Sequence, residues 1–149
     1  MKYIQCPTEA NPRNLEPTLF LAGGISNCPD WQSELTATLE DSNWTVLNPR
    51  RKDFDAGDSS LTVAQIDWEF RHLRLAGAIA FWFPAQTLCP IALYELGAWS
   101  MTNKPLFIGV DPNYRRLLDV KIQTQLVRPD VVILESLTDL ASKIRGGIS

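Results

Sequence analysis

The feature that most constrains the fold is a continuous apolar run at residues 78–83, bounded by Gly77 and Pro84. A strand with one face in water alternates polar and apolar residues, whereas a strand covered on both faces is apolar throughout. The run is too short for a buried helix, and a glycine and a proline mark its ends. It therefore predicts a central strand of a parallel sheet with helices on both faces.

Shorter apolar segments alternate with helical patterns along the rest of the chain. We predict further strands over residues 18–22, 44–47, 105–110 and 131–134. Helices are predicted near residues 29–30, over 61–75, from Pro90, and over 115–126 and 137–144. This alternation predicts an α/β domain with five parallel strands. We expect residues 1–17 to form an irregular N-terminal arm and residues 18–149 to form a single domain.

The composition excludes several classes of function. A formal net charge of −3 gives no basic surface for a nucleic-acid polymer. Cys6, Cys28 and Cys89 are scattered, and the chain has a single histidine, which argues against a disulfide framework and against zinc. No apolar run approaches the roughly 20 residues that span a bilayer, and the first residues do not resemble a signal peptide. These features predict a cytoplasmic protein without a membrane partner.

Two stripes run along the helix predicted over residues 61–75. The apolar stripe consists of Ile66, Phe70 and Leu73. The polar stripe consists of Gln65, Glu69 and His72. Both have the spacing of residues that share a helix face. The polar stripe is either a solvated face or part of a functional site.

Polar and special residues follow four of the predicted strands. They are Gly23-Gly24, Asn48-Pro49-Arg50-Arg51, the loop 84–89 and Asp111-Pro112-Asn113. In a parallel sheet these loops lie at one edge, where open α/β folds bind small molecules. Glu95 lies in the helix after the central strand, near the same edge. The paired glycines are not the G-x-G-x-x-G fingerprint of a dinucleotide site.

Three segments together resemble the nucleoside 2-deoxyribosyltransferase family and its nucleotide N-glycosidase relatives. They are Phe20-Leu21-Ala22-Gly23-Gly24, the helix that carries Glu69, and Tyr94-Glu95-Leu96-Gly97-Ala98. The resemblance covers roughly residues 18–110. It implies a flavodoxin-like, Rossmann-like five-stranded sheet, a small nucleoside or nucleotide as substrate, and assembly as a homodimer or larger homo-oligomer.

The resemblance also implies two catalytic carboxyls. Glu95 matches the family's nucleophile, which attacks C1′ of the deoxyribose and stabilises an oxocarbenium-like transition state. Glu69 matches an acidic residue that hydrogen-bonds the nucleobase or passes a proton to it. This chemistry requires neither a metal nor an organic cofactor.

The chain departs from the family at two positions that would contact substrate. Phe20 stands where a tyrosine is common, and Cys89 stands where an aspartate binds the sugar hydroxyl. Gln86 and Thr87 are alternative partners for sugar hydroxyls, and Trp68 is a candidate for stacking on the base. Gly23 and Gly24 would allow close approach of the substrate.

Arg50 and Arg51 follow the second strand and could bind a 5′-phosphate, which would suit a nucleotide rather than a nucleoside. The alternative is that both arginines lie in a solvent-exposed turn and bind no ligand. Three functions remain open at this point: transfer of the sugar to a second base, hydrolysis of the N-glycosidic bond, and nucleotide binding without catalysis.

Overall fold

The computed structural model describes residues 1–11, 17–52 and 57–147. Residues 12–16 of the predicted arm, residues 53–56 of the polar loop and residues 148–149 lie outside the described part.

The described residues form a parallel sheet of six strands. These are β1 (Lys2–Gln5), β2 (Thr18–Gly23), β3 (Thr45–Asn48), β4 (Ala78–Phe83), β5 (Leu106–Val110) and β6 (Ile133–Leu134). Their order in the sheet is β1-β3-β2-β4-β5-β6. The prediction of five strands is one too few, because β1 adds a parallel edge strand beside β3, with Lys2 opposite Thr45. The other five strands have the flavodoxin-like order, which confirms the predicted fold class.

Five helices connect these strands within the described part. They are α1 (Trp31–Thr38), α2 (Ser59–Leu75), α3 (Pro90–Ser100), α4 (Leu117–Val127) and α5 (Leu137–Arg145). Side chains that accept backbone N–H groups begin three of them: Asp30 for α1, Asp58 for α2 and Ser136 for α5. Helix α3 begins at Pro90, as predicted.

The side chains of β4 divide between two hydrophobic cores. Ile79, Phe81 and Phe83 enter the core that contains residues of α2, α3 and α4. Ala80 and Trp82 enter the core that contains residues of α1 and α5. Every residue of β4 is buried, which confirms the strand covered on both faces.

Apolar residues at helical spacing are exposed on two helices, α2 and α4. On α2, Ile66 and Phe70 are 59% and 53% exposed, whereas Leu73 of the same stripe is buried in the core, as are Gln65 and His72. The N-terminal segment, residues 6–10, explains the orientation of α2, because it supplies polar partners to the buried face of this helix. On α4, three apolar residues at helical spacing are exposed: Leu118, Ile122 and Leu126.

Candidate active site

A cavity of about 750 Å³ opens at the carboxyl edge of the sheet. Its walls come from the loops after β2, β3 and β4 and from helices α2 and α3. Strands β2 and β4 are neighbours, and the chain continues to opposite sides of the sheet from them, so the cavity lies at the topological switch point. Its volume is within the range of sites for small molecules.

Two glycines line the floor of the cavity because nothing larger fits. A Cβ on Gly23 would lie 2.2 Å from the backbone oxygen of Trp82. A Cβ on Gly24 would lie 3.0 Å from the Sγ of Cys28 and 3.1 Å from the Sγ of Cys89. The absence of side chains at these positions leaves the backbone accessible from the cavity.

Glu95 lines the cavity from α3, one and a half turns after Pro90. Burial, and then repulsion from Glu69, raise the pKa of Glu95 to about 8. Burial therefore outweighs the positive end of the helix, which would favour the charged form. At neutral pH this shift favours the protonated form of the Glu95 carboxyl.

Glu69 lines the same cavity from α2. Its Oε1 accepts a hydrogen bond of 2.7 Å from the Nε2 of Gln65. Burial raises the pKa of Glu69, and the bond from Gln65 acts in the opposite direction. The structure thus brings two half-buried carboxyls from different helices into one cavity.

The loop after β4 contributes Thr87 and Cys89 to the cavity, whereas Gln86 is exposed outside the lining. The hydroxyl of Tyr114 donates to the backbone oxygen of Leu88 at 2.7 Å and holds the loop in place. Burial raises the pKa of the Cys89 thiol to about 12, so this side chain is neutral.

The two consecutive arginines face in different directions. Arg51 lines the cavity, whereas Arg50 does not. The guanidinium of Arg50 donates to the backbone oxygens of Pro29 at 2.9 Å and Cys28 at 3.1 Å, and to the side chain of Gln32. Arg50 therefore ties the end of β3 to the segment before α1.

Phe20 lies in the cavity wall and is almost fully buried, at 1% exposure. Trp68 lies behind it, with ring centroids 6.1 Å apart, and is outside the lining. The indole of Trp68 stacks on His72 at 3.8 Å and donates to the backbone oxygen of Thr8. Its surroundings are those of a core residue.

Sequence reasoning missed the aromatic rim of the cavity. Phe70, Tyr94 and Trp99 line the cavity and are at least partly exposed. The guanidinium of Arg74 lies 3.5 Å above the centre of the Phe70 ring. The spacing of Phe70 with Ile66 was a usable signal, but it equally describes a residue of the core.

No group of three or more metal-ligating side chains is found among residues 1–11, 17–52 and 57–147. The same residues contain no helix of the length and hydropathy needed to cross a bilayer.

The fold is that of a flavodoxin-like α/β protein, and its switch-point cavity with two carboxyls is a candidate site for a small molecule. The family model described as nucleoside 2-deoxyribosyltransferase like matches residues 16–114, about two thirds of the chain. The chain belongs to this family, as the sequence resemblance predicted. No curated protein shows a significant match to the chain.

Proposed function

We propose that this protein cleaves or exchanges the N-glycosidic bond of a deoxynucleoside or nucleotide, with Glu95 as the nucleophile at C1′. The observation that carries the proposal is the pair of half-buried carboxyls, Glu69 and Glu95, in one cavity at the switch point. The family membership supports the same reaction class.

The proposed reaction has two stages. In the first, a carboxylate at Glu95 attacks C1′ as the base departs, and a glycosyl ester forms on its side chain. In the second, a free base attacks the ester and gives transfer, or water attacks it and gives hydrolysis. In this proposal Glu69, which lines the same cavity, contacts the base, and the chemistry requires no metal or organic cofactor.

The cavity offers contacts for each part of such a substrate. Phe70, Tyr94 and Trp99 form an aromatic rim, and aromatic rings stack on bases. Thr87 is near the end of β4 and could bond a sugar hydroxyl. Arg51 lines the cavity after β3 and is our candidate for a 5′-phosphate.

The test is to incubate the protein with mixed deoxynucleosides and deoxynucleotides, with and without a second free base, and to separate the products by chromatography. Release of base indicates cleavage, and a new nucleoside indicates transfer. Glu95→Gln should slow turnover by roughly 10³-fold or more with little loss of binding. A 2-fluoro sugar analogue should leave an adduct on Glu95 that mass spectrometry detects.

Nucleotide binding without catalysis is the second candidate. Phe20 has no hydroxyl to orient Glu95, and the thiol of Cys89 is a weak acceptor in place of a carboxylate. Binding of nucleotides in calorimetry, without base release under any condition of the assay, would favour this function over the enzyme.

We also propose a homo-oligomer in the cytoplasm. Exposed apolar side chains surround the cavity mouth on α2 and α3: Ile66, Phe70, Ile91 and Tyr94. A contiguous patch of this kind commonly marks an interface. Light scattering on the purified protein tests the assembly. Cys6, Cys28 and Cys89 are in the reduced thiol form, which is consistent with a reducing compartment.

A further inference from the structure

The side-chain amide of Gln65 lies between three partners from different parts of the chain. Its Nε2 donates to the backbone oxygen of Pro49 at 2.7 Å and to the Oε1 of Glu69 at 2.7 Å. Its Oε1 accepts from the Sγ of Cys6 at 3.1 Å. Gln65 is only 8% exposed, so these bonds are made largely out of contact with water.

These partners fix which way the amide points. A backbone carbonyl can only accept, so the oxygen of Pro49 requires the NH₂ group of Gln65 on its side. The second hydrogen of the same nitrogen then points to Glu69. The reversed amide would place its oxygen against the Pro49 oxygen and against a carboxyl, and it would leave buried donors unpaired.

We infer that Gln65 is a positioning residue that holds Glu69 as the hydrogen-bond acceptor of the carboxyl pair. This inference deepens the proposed function and rests on it for its catalytic meaning. One oxygen of Glu69 is engaged by Gln65, and the other remains available to the substrate. The bond also favours the carboxylate form of Glu69, because a donor stabilises the charged acceptor.

The charge on Glu69 affects which of the two carboxyls, Glu69 or Glu95, holds a proton. The bond from Gln65 lowers the pKa of Glu69 against the effect of burial, and the charge on Glu69 contributes to the raised pKa of Glu95. The remaining titratable or charged side chains that line the cavity in the described part are Arg51, Arg74, Cys89 and Tyr94. The hydrogen bond from Gln65 therefore favours the arrangement in which Glu69 is the carboxylate of the pair and Glu95 holds the proton.

This arrangement predicts a particular pH profile. The nucleophile must be ionised, so kcat/KM should rise with pH through about 8, the pKa of Glu95. Without the donor at Gln65, Glu69 takes up a proton more readily and repels Glu95 less. The rising limb of the profile then moves to lower pH. A residue that acted only on stability would lower the rate without moving the limb.

The test begins with the empty protein and needs no substrate. Carboxyl ¹³C NMR on glutamate-labelled protein, assigned with Glu69→Gln and Glu95→Gln, follows both titrations. In the wild type, Glu69 should titrate below Glu95. In Gln65→Met, the midpoint of Glu69 should rise and that of Glu95 should fall. Gln123→Met, a matched change at an exposed position on α4, should leave both unchanged.

Turnover supplies the second readout once a substrate is found. Gln65→Met should lower kcat at pH 9 by about tenfold or more, since a small displacement of a catalytic group costs this much. Its kcat/KM limb should also move to lower pH. Gln65→Glu replaces the donating NH₂ group by an oxygen in a side chain of the same length. It should therefore also raise the pKa of Glu69.

The outcomes separate the inference from the proposed function. If Glu69 titrates above Glu95 in the wild type, or if both midpoints are unchanged in Gln65→Met, the inference is overturned. The wild-type order decides the matter even if the variant fails to fold. If the midpoints shift as expected but no nucleoside or nucleotide is turned over, the positioning role stands and the proposed reaction fails.

Discussion

Replacing Glu95 by glutamine should stabilise the fold at alkaline pH, although it removes the proposed nucleophile. The pKa of Glu95 is raised from 4.5 to about 8 in the folded protein. In the unfolded chain, the carboxyl ionises near its ordinary pKa. Between these values the unfolded state binds fewer protons than the folded state, so wild-type stability decreases as pH rises from about 4.5 to about 8.

The size of this effect follows from the two pKa values. Their difference, 8 − 4.5 = 3.5, corresponds to about 5 kcal/mol at roughly 1.4 kcal/mol per pKa unit. Glu95 is only partly buried and faces an open cavity, so water screens its charge. We therefore expect about half of this figure, on the order of 2 kcal/mol, above pH 8.

The assay is urea unfolding followed by tryptophan fluorescence between pH 4 and pH 9. Glu95→Gln should match the wild type near pH 4 and exceed its free energy of unfolding by about 2 kcal/mol at pH 9. Glu40→Gln replaces an exposed glutamate outside the cavity and controls for the loss of one negative charge. A difference that is the same at every pH, or a less stable Glu95→Gln at pH 9, would refute the reasoning.

Four further substitutions test packing and polar contacts in and near the cavity. Gly23→Ala should destabilise the protein by about 3 kcal/mol, since its Cβ would meet the backbone oxygen of Trp82; an unchanged melting temperature would contradict the close approach. Lys104→Met should reduce the free energy of unfolding by about 1–3 kcal/mol, because the ammonium donates to three backbone oxygens at the end of α2. Chemical denaturation measures this loss. An unchanged free energy would mean that water replaces the lysine as the donor. Arg51→Ala should weaken nucleotide binding more than nucleoside binding in calorimetry. Arg50→Ala should mainly lower the free energy of unfolding, because this side chain bonds the segment before α1. The reverse pattern would exchange the roles assigned to the two arginines.

Local patterns were sufficient to predict five of the six strands and the edge of the sheet that carries the cavity. The apolar run of β4, the paired glycines after β2 and the proline that opens α3 each depend on a few adjacent residues. Edge strand β1 was not predicted as part of the sheet, because its sequence, KYIQ, does not alternate in polarity and is half exposed.

Contacts between distant residues could not be predicted from the same patterns. The buried face of α2 contains Gln65, Trp68 and His72, whose polar atoms pair with Cys6, Thr8 and Ala10 in the N-terminal segment. Periodicity measures polarity along one helix and contains no information about a partner about 60 residues away. It therefore favoured Ile66 and Phe70 as core residues.

Adjacent arginines illustrate the same limit at the scale of one residue. Arg50 and Arg51 are equivalent in the sequence, but their side chains lie in different surroundings. Only Arg51 lines the cavity, and Arg50 is occupied by oxygens of the segment before α1. Which arginine lines the cavity depends on how the loop after β3 packs against the rest of the protein, and the sequence pattern does not contain this information.

The N-terminal segment packs on α2, and its local unfolding would affect a helix that lines the cavity. Its contacts with α2 close a long loop and include few apolar residues, so it is expected to detach at a lower free energy than the central strands. Detachment would release Gln65 from Cys6 while the sheet remained intact. Amide hydrogen exchange in α2 should then be faster than in β4, and the support of Glu69 would be lost before the fold itself.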